Sequence, residues 1–262
     1  MPKMTQYKHG TFCWVDLATS DPDAAKKFYG GLFGWQFVDM PAEGMTYTMC
    51  QLGGEQVCAL YKMGAEMQGM PPHWLAYVSV ENVDATTKQA AQNGAKVMKD
   101  AFDVMSVGRM AVLQDPTGAV LALWQAKQHI GATVVKDPGT MCWNELFTSN
   151  VDQAGKFYVQ TLGWQTEAFD MGPMGVYTLF ARKGEGKEGQ VGGMMAMPQN
   201  MKGVPSHWLN YFAVTDVDAS AKKVAELKGN VVMPPTDIPN IGRFAIVQDP
   251  QGATFAIYKN AH

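Results

Sequence analysis

The sequence predicts an α+β protein made of four βαβββ modules, and three observations lead to this fold class. The stretch from Gly10 to Trp35 recurs without a gap from Gly139 to Trp164, with identity at 14 of 26 positions. A second pair of blocks, beginning at His73 and His207, repeats in the same way. Within each half, the order of one strand, one helix and three strands occurs twice. The chain is therefore a tandem duplication of a unit of about 130 residues, a common domain length.

Length and charge set the broad class. A chain of 262 residues with 47% hydrophobic and 17% charged residues can form two hydrophobic cores. We expect domains at residues 1–127 and 128–262, with a linker near 126–138. A net charge of −3 argues against nucleic acid or an anionic membrane as a partner.

The sequence also bears on location. No apolar run approaches the roughly 18 residues of a membrane span, and the first ten residues lack the apolar segment of a signal peptide. Four cysteines without a C-x-x-C pair do not indicate a disulfide framework or a zinc site. We therefore expect a cytoplasmic protein.

The first strand of the first module covers residues 11–19, where side chains alternate between two faces. We expect Trp14 and Asp16 on one face, and Cys13 with Val15 on the other. Three further strands complete the module after its helix, and Gly53-Gly54 joins the last two.

Four helices are expected, near residues 21–32, 82–93, 150–161 and 216–228. Each follows a residue whose side chain can cap a helix, and each carries apolar residues at helical spacing. The candidate caps are Ser20 or Asp21, Asn82, Asn150 and Asp216. Phe28 and Phe157 lie on the apolar stripe of their helices, so we expect both in the core.

Together, these motifs resemble the vicinal oxygen chelate superfamily. They are a strand, a D-x-(D/E)-x-A-x-x-F-Y helix from Asp21, an L-x-G-W exit ending at Trp35, and D-P-x-G hairpins at 115–118 and 249–252. The superfamily includes glyoxalase I, bleomycin-resistance proteins and extradiol dioxygenases. The resemblance implies two tandem open eight-stranded half-barrels, each with a concave ligand cavity. It does not specify function, because this fold supports lyases, isomerases, oxygenases and binding proteins.

Active members of the superfamily usually hold a divalent metal with His, Gln or Glu side chains. By the resemblance, the corresponding positions here are Trp14, Ala59, Leu75 and Ala122, then Trp143, Gly193, Leu209 and Ala256. None of these side chains can bind a divalent ion, which needs imidazole, carboxylate or thiolate donors. We therefore predict no metal centre and no cofactor. A divalent metal held by His73 with Asp16, or by His207 with Glu145, is the alternative.

The cavities are predicted to have aromatic walls and one carboxyl group each. The wall residues are Trp14, Tyr77 and Trp124 in the first half, and Trp143, Tyr211 and Tyr258 in the second. Asp16 and Glu145 share these faces, where burial can raise a carboxyl pKa and permit acid–base catalysis. Alternatively, the rings fill the half-barrel and the carboxyl group is a structural hydrogen-bond acceptor.

Two classes of function follow. The first is a metal-free protein that binds a small molecule in an aromatic-walled cavity, of the bleomycin-resistance type. The second is a glyoxalase-like lyase or isomerase, or a dioxygenase, that uses Asp16 and Glu145 or an atypical metal site at His73 and His207. Arg109 and Arg243 are expected to pair with nearby acids. The sequence does not specify the oligomeric state.

Overall fold

The computed structural model describes residues 3–42, 44–172, 175–198, 201 and 203–261. Short 3₁₀ turns lie at Ala65–Met67 and at Gly186–Gly189. The regular elements of the first half are β1 (Thr11–Thr19), α1 (Pro22–Phe33), β2 (Gln36–Ala42), β3 (Met45–Leu52), β4 (Glu55–Lys62), β5 (His73–Ser79), α2 (Val83–Gln92), β6 (Lys96–Val104), β7 (Gly108–Gln114) and β8 (Val120–Ala126). Those of the second half are β9 (Met141–Thr148), α3 (Val151–Leu162), β10 (Trp164–Asp170), β11 (Val176–Arg182), β12 (Gln190–Ala196), β13 (His207–Ala213), α4 (Val217–Glu226), β14 (Asn230–Ile238), β15 (Gly242–Gln248) and β16 (Thr254–Asn260).

Each half forms one open eight-stranded sheet. The strand order is β2-β3-β4-β1-β5-β8-β7-β6 in the first sheet and β10-β11-β12-β9-β13-β16-β15-β14 in the second. The first strand of each half therefore lies at the centre, parallel to β4 or β12 and antiparallel to β5 or β13. The predicted fold class, with four βαβββ modules in two open sheets, is confirmed. The boundary between residues 127 and 128 stays a prediction.

The helices begin where the capping residues predict. The Asp21 side chain accepts from the backbone N–H of Ala24 at 3.0 Å, and Asn82, Asn150 and Asp216 cap their helices in the same way. Gly34 ends α1 in the left-handed conformation, at φ 73°, which glycine adopts without steric cost. No helix of the described residues is long and apolar enough to cross a membrane.

The helix-bearing faces of the two sheets share one hydrophobic core. Phe28 and Phe157 lie in it, each with 2% of its surface exposed, as predicted. Reciprocal hydrogen bonds cross between the halves. The Tyr29 hydroxyl donates to Asp249 at 3.0 Å, and the Tyr158 hydroxyl donates to Asp115 at 2.9 Å. Each half thus supplies the hairpin carboxylate that the helix tyrosine of the other half contacts.

The other face of each sheet carries the predicted cavity residues. We call the face with Trp14, Asp16, Tyr77 and Trp124 the first outer face. The second outer face carries Trp143, Glu145, Tyr211 and Tyr258.

The predicted orientation of the Cys13 side chain is wrong. The pairing of β1 with β5 shifts between Phe12 and Trp14, and this β-bulge turns Cys13 onto the first outer face. Cys13 therefore packs with Trp14, whereas Val15 faces the helices. The pairing of β9 with β13 shifts at the matching place, and Cys142 lies on the second outer face.

Candidate functional site

The structure brings the predicted residues of the first outer face together on four central strands. Asp16 on β1 pairs with Ala59 on β4, and Tyr77 on β5 pairs with Ala122 on β8. Trp14 pairs directly with Tyr77. The alternation of β1 places Trp14 and Asp16 on the same side, as the sequence predicts.

A chain of hydrogen bonds leads to Asp16. Tyr77 and Tyr47 both donate their hydroxyls to Asp16 Oδ2, at 2.7 and 3.1 Å, and Trp14 Nε1 donates to the Tyr47 hydroxyl at 3.0 Å. Oδ1 of Asp16 is buried and has no hydrogen-bond partner among the described residues. Burial raises the pKa of Asp16 to about 7, and the two tyrosine hydrogen bonds oppose this rise. Near neutral pH this carboxyl group can therefore hold or release a proton.

The second outer face repeats the arrangement with a longer acid. The Tyr211 hydroxyl donates to Glu145 Oε2, and Trp143 Nε1 donates to the Tyr177 hydroxyl at 2.8 Å. Burial raises the pKa of Glu145 to about 7, and hydrogen bonds from Tyr211 and Tyr177 lower it. Both halves thus place a buried carboxyl group among tyrosine hydroxyls and a tryptophan.

Sequence reasoning missed two of these residues, Tyr47 on β3 and Tyr177 on β11. Their signal was available, because a Tyr-Thr pair recurs at matching places, Tyr47-Thr48 and Tyr177-Thr178. The Tyr177 ring lies against Gly193, so that a Cβ on Gly193 would be 2.1 Å from the hydroxyl oxygen. The phenol of Tyr177 therefore occupies the space beside this glycine.

The donor chemistry does not fit the metal centre that the superfamily implies. In the described part of the chain, no three His, Cys, Asp or Glu side chains lie close enough to hold a metal ion. The carboxyl groups of Asp16 and Glu145 are engaged by tyrosine hydroxyls. His73 Nδ1 contacts the carbonyl oxygen of Pro71 at 2.9 Å, and His207 Nδ1 contacts that of Pro205 at 2.8 Å. The structure thus gives the alternative metal pairs no third ligand within these residues.

The two matched arginines lie away from the outer faces. Arg109 donates twice to Asp84 of α2, at 2.8 Å each. Arg243 donates to Asp218 of α4 at 2.7 and 2.9 Å. Both therefore pair with an acid in the first turn of a helix, as expected.

Comparison with known proteins identifies sequence relatives along the whole chain. The family model described as "Glyoxalase/Bleomycin resistance protein/Dioxygenase superfamily" matches residues 11–123 and 140–257. The Mycobacterium tuberculosis protein named "Putative glyoxylase CFP32" is 46% identical over 265 residues, covering 100% of this chain and 99% of its own. "Anthracycline biosynthesis protein DnrV" of Streptomyces peucetius is 35% identical over 268 residues, covering 97% and 94%.

Solved structures share the fold at low sequence identity. The Mn(II)-bound glyoxalase from Novosphingobium aromaticivorans aligns with a TM-score of 0.65 at 15% identity, covering 96% of this chain and 83% of its own. The 2,3-dioxygenase LapB from Pseudomonas sp. KL28 aligns with a TM-score of 0.65 at 14% identity, covering 98% and 95%. At such identities the likeness establishes the fold and no activity.

Proposed function

Since the chain belongs to the glyoxalase/bleomycin resistance protein/dioxygenase superfamily, we propose that it binds a small molecule on its outer faces without a metal ion. One observation carries this proposal. A buried carboxyl group lies at the centre of each sheet, hydrogen-bonded to tyrosine and bordered by tryptophan. Few polar groups set in an aromatic wall are typical of small-molecule sites.

We propose different contacts for the apolar part and the polar part of the ligand. The aromatic side chains would contact the flat apolar part of the ligand. They are Trp14, Tyr77 and Trp124 on the first outer face, and Trp143, Tyr211 and Tyr258 on the second. Asp16 or Glu145 would bind its polar group by a hydrogen bond. The eight positions at which the superfamily holds its metal carry no imidazole, carboxylate or thiolate in this chain, so they favour an organic ligand over a divalent ion.

The raised carboxyl pKa values favour one second candidate, a glyoxalase-like lyase or isomerase. A group whose pKa is about 7 is present in both protonation states at neutral pH, which suits a general acid or base. In this candidate Glu145 or Asp16 would move a proton on the bound substrate. The relative from Mycobacterium tuberculosis is named as a glyoxylase, which is an enzyme name.

Metal analysis and ligand titration on the same preparation test the proposal. Protein dialysed against a chelator should contain far less than one divalent ion per chain and should retain its ligand binding. Binding is read from quenching of tryptophan fluorescence by aromatic and dicarbonyl compounds. A stoichiometric metal ion that survives dialysis, and whose removal abolishes binding, would contradict the proposal.

A further inference from the structure

Two of the four cysteines face each other across neighbouring strands of the first sheet. β3 and β4 run antiparallel, and Cys50 of β3 lies directly opposite Cys58 of β4. The next pair along, Met49 and Ala59, lies on the first outer face, whereas Cys50 and Cys58 belong to the core on the helix-bearing face. Both thiols therefore lie on the same side of the same two strands.

The spacing of directly opposed residues suits a disulfide bond. In an antiparallel pair such residues have Cα atoms about 4.5 Å or about 5.5 Å apart, and disulfides join Cα atoms about 4.4–6.8 Å apart. Burial raises the pKa of the Cys58 thiol well above its ordinary value, and the neighbouring Cys50 thiol raises this pKa further. An effect of this kind acts between groups that lie side by side, so the two thiols are neighbours as well as their strands.

The fold does not require two thiols at this place. In the second sheet the matching pair on β11 and β12 is Phe180 and Gly192, and the same shift of register follows it directly. A phenyl ring opposite a glycine there takes the place of two thiols. The Cys50–Cys58 pair is therefore a feature of the first half alone.

The other two cysteines are placed differently. Each donates its thiol to a backbone carbonyl oxygen of its own sheet, Cys13 to Tyr77 at 3.6 Å and Cys142 to Tyr211 at 3.4 Å. They lie on the outer faces of different sheets. Of the four cysteines, Cys142 is half-buried and the others are buried. Exposure alone would therefore make Cys142 the first thiol to be oxidised, whereas the strand pairing favours Cys50 with Cys58.

From this placement we propose that Cys50 and Cys58 form a reversible disulfide when the chain meets a peroxide. The thiolate of one cysteine attacks a peroxide oxygen, the O–O bond breaks and hydroxide leaves, which gives a sulfenic acid. The sulfur of the second cysteine then attacks the sulfenic sulfur, the S–S bond forms and the oxygen leaves as water. Two thiols and one hydrogen peroxide thus give one disulfide and two waters, and the two electrons that the sulfurs lose reduce the peroxide. A thiol reductant reverses the bond by exchange.

A small oxidant reaches the pair through local opening of the β3–β4 hairpin. The hairpin turns at Gly53 and Gly54, which are exposed and lie within four residues of either cysteine. On the other side of β3, only β2 separates it from the edge of the sheet. Segments near an edge and an exposed turn open at lower cost than the centre of a sheet. This inference is independent of the proposed small-molecule site.

Disulfide mapping of the folded, full-length chain tests the inference. The reduced chain is freed of reductant and treated with hydrogen peroxide, and the remaining thiols are then blocked with N-ethylmaleimide in denaturant. The wild type should lose two of its four thiols. A glutamyl endopeptidase cleaves after Glu55, between the two cysteines, so their peptides should stay joined and be about 2 Da lighter than the two free thiol peptides together. Dithiothreitol should separate these peptides and restore all four thiols.

Cys142→Ala is the matched control and should give the Cys50–Cys58 link in the same yield as the wild type. Cys50→Ala and Cys58→Ala should give no linked peptide, with circular dichroism showing that each variant is folded. The wild-type map decides by itself if a variant does not fold. Four free thiols after peroxide treatment, links to Cys13 or Cys142 instead, or oxidation of Cys142 with Cys50 and Cys58 still reduced would overturn the inference.

Discussion

Comparing the wild type with Asp16→Asn measures the free energy of unfolding that is lost when the buried Asp16 carboxyl group ionises on the first outer face. Asparagine keeps the size of the side chain and an oxygen that can accept from Tyr77 and Tyr47, but it cannot ionise. The rise of the Asp16 pKa from 3.8 to about 7 corresponds, at about 1.4 kcal/mol per pH unit, to about 4 kcal/mol.

The direction of the pH dependence of stability follows from proton binding at Asp16. Between the two pKa values the folded chain binds more protons at Asp16 than the unfolded chain does, so its stability falls as pH rises through this window. The wild-type protein should therefore lose stability relative to Asp16→Asn by about 3 kcal/mol between about pH 5 and about pH 8. Other titrating groups cancel in this difference, because both proteins contain them.

Urea unfolding followed by tryptophan fluorescence at several pH values provides the measurement. Glu145→Gln is the matched test on the second outer face, where the pKa rises from 4.5 to about 7. It should show the same sign, with a change of about 2–3 kcal/mol over the same interval. A stability difference that does not change with pH would refute the burial of these carboxyl groups.

Three further predictions concern the core and His129, which lies between the two halves and packs edge-on to Trp14 with ring centres 4.6 Å apart. Phe28→Ala should lower the free energy of unfolding by about 3–5 kcal/mol, and a loss below about 1 kcal/mol in a denaturant melt would contradict its place in the shared core. Tyr29→Phe removes the hydroxyl that donates to Asp249 Oδ2 and that accepts from the buried Trp74 Nε1, so it should cost about 1–3 kcal/mol in the same assay. An unchanged melt would argue against the bond between the halves. The pKa of His129 falls from 6.5 to about 4, so its unfolded form binds more protons and stability drops as pH falls through that window. His129→Ala should remove about 2 kcal/mol of the loss between about pH 7 and about pH 5, and identical pH profiles would show that the ring is not buried.

Local signals in the sequence predict the elements well. The cap at Asp21 and the stop at Gly34 fix the first helix, because side-chain capping and positive φ act within a few residues. The two-residue period of β1 predicts the facing of Trp14 and Asp16. The same period fails at Cys13, since a β-bulge depends on pairing with a distant strand.

The composition of the site depends on contacts that sequence spacing does not reveal. Tyr47 reaches Asp16 across β4, because β3 is only two strands from β1 in the sheet. His129 lies in the stretch 126–138, which the sequence identifies only as a linker, and its ring is covered by tertiary packing against Trp14. The hydrogen bonds between halves likewise join residues far apart in sequence, such as Tyr29 and Asp249.

The reciprocal bonds of Tyr29 with Asp249 and of Tyr158 with Asp115 have a consequence for the origin of this chain. A protein containing one half alone would carry both a helix tyrosine and a hairpin aspartate, so two copies could form the same pair of bonds across a two-fold axis. The duplicated chain is then a fused homodimer. Fusion holds the two former subunits at high effective concentration and releases each from identity with the other.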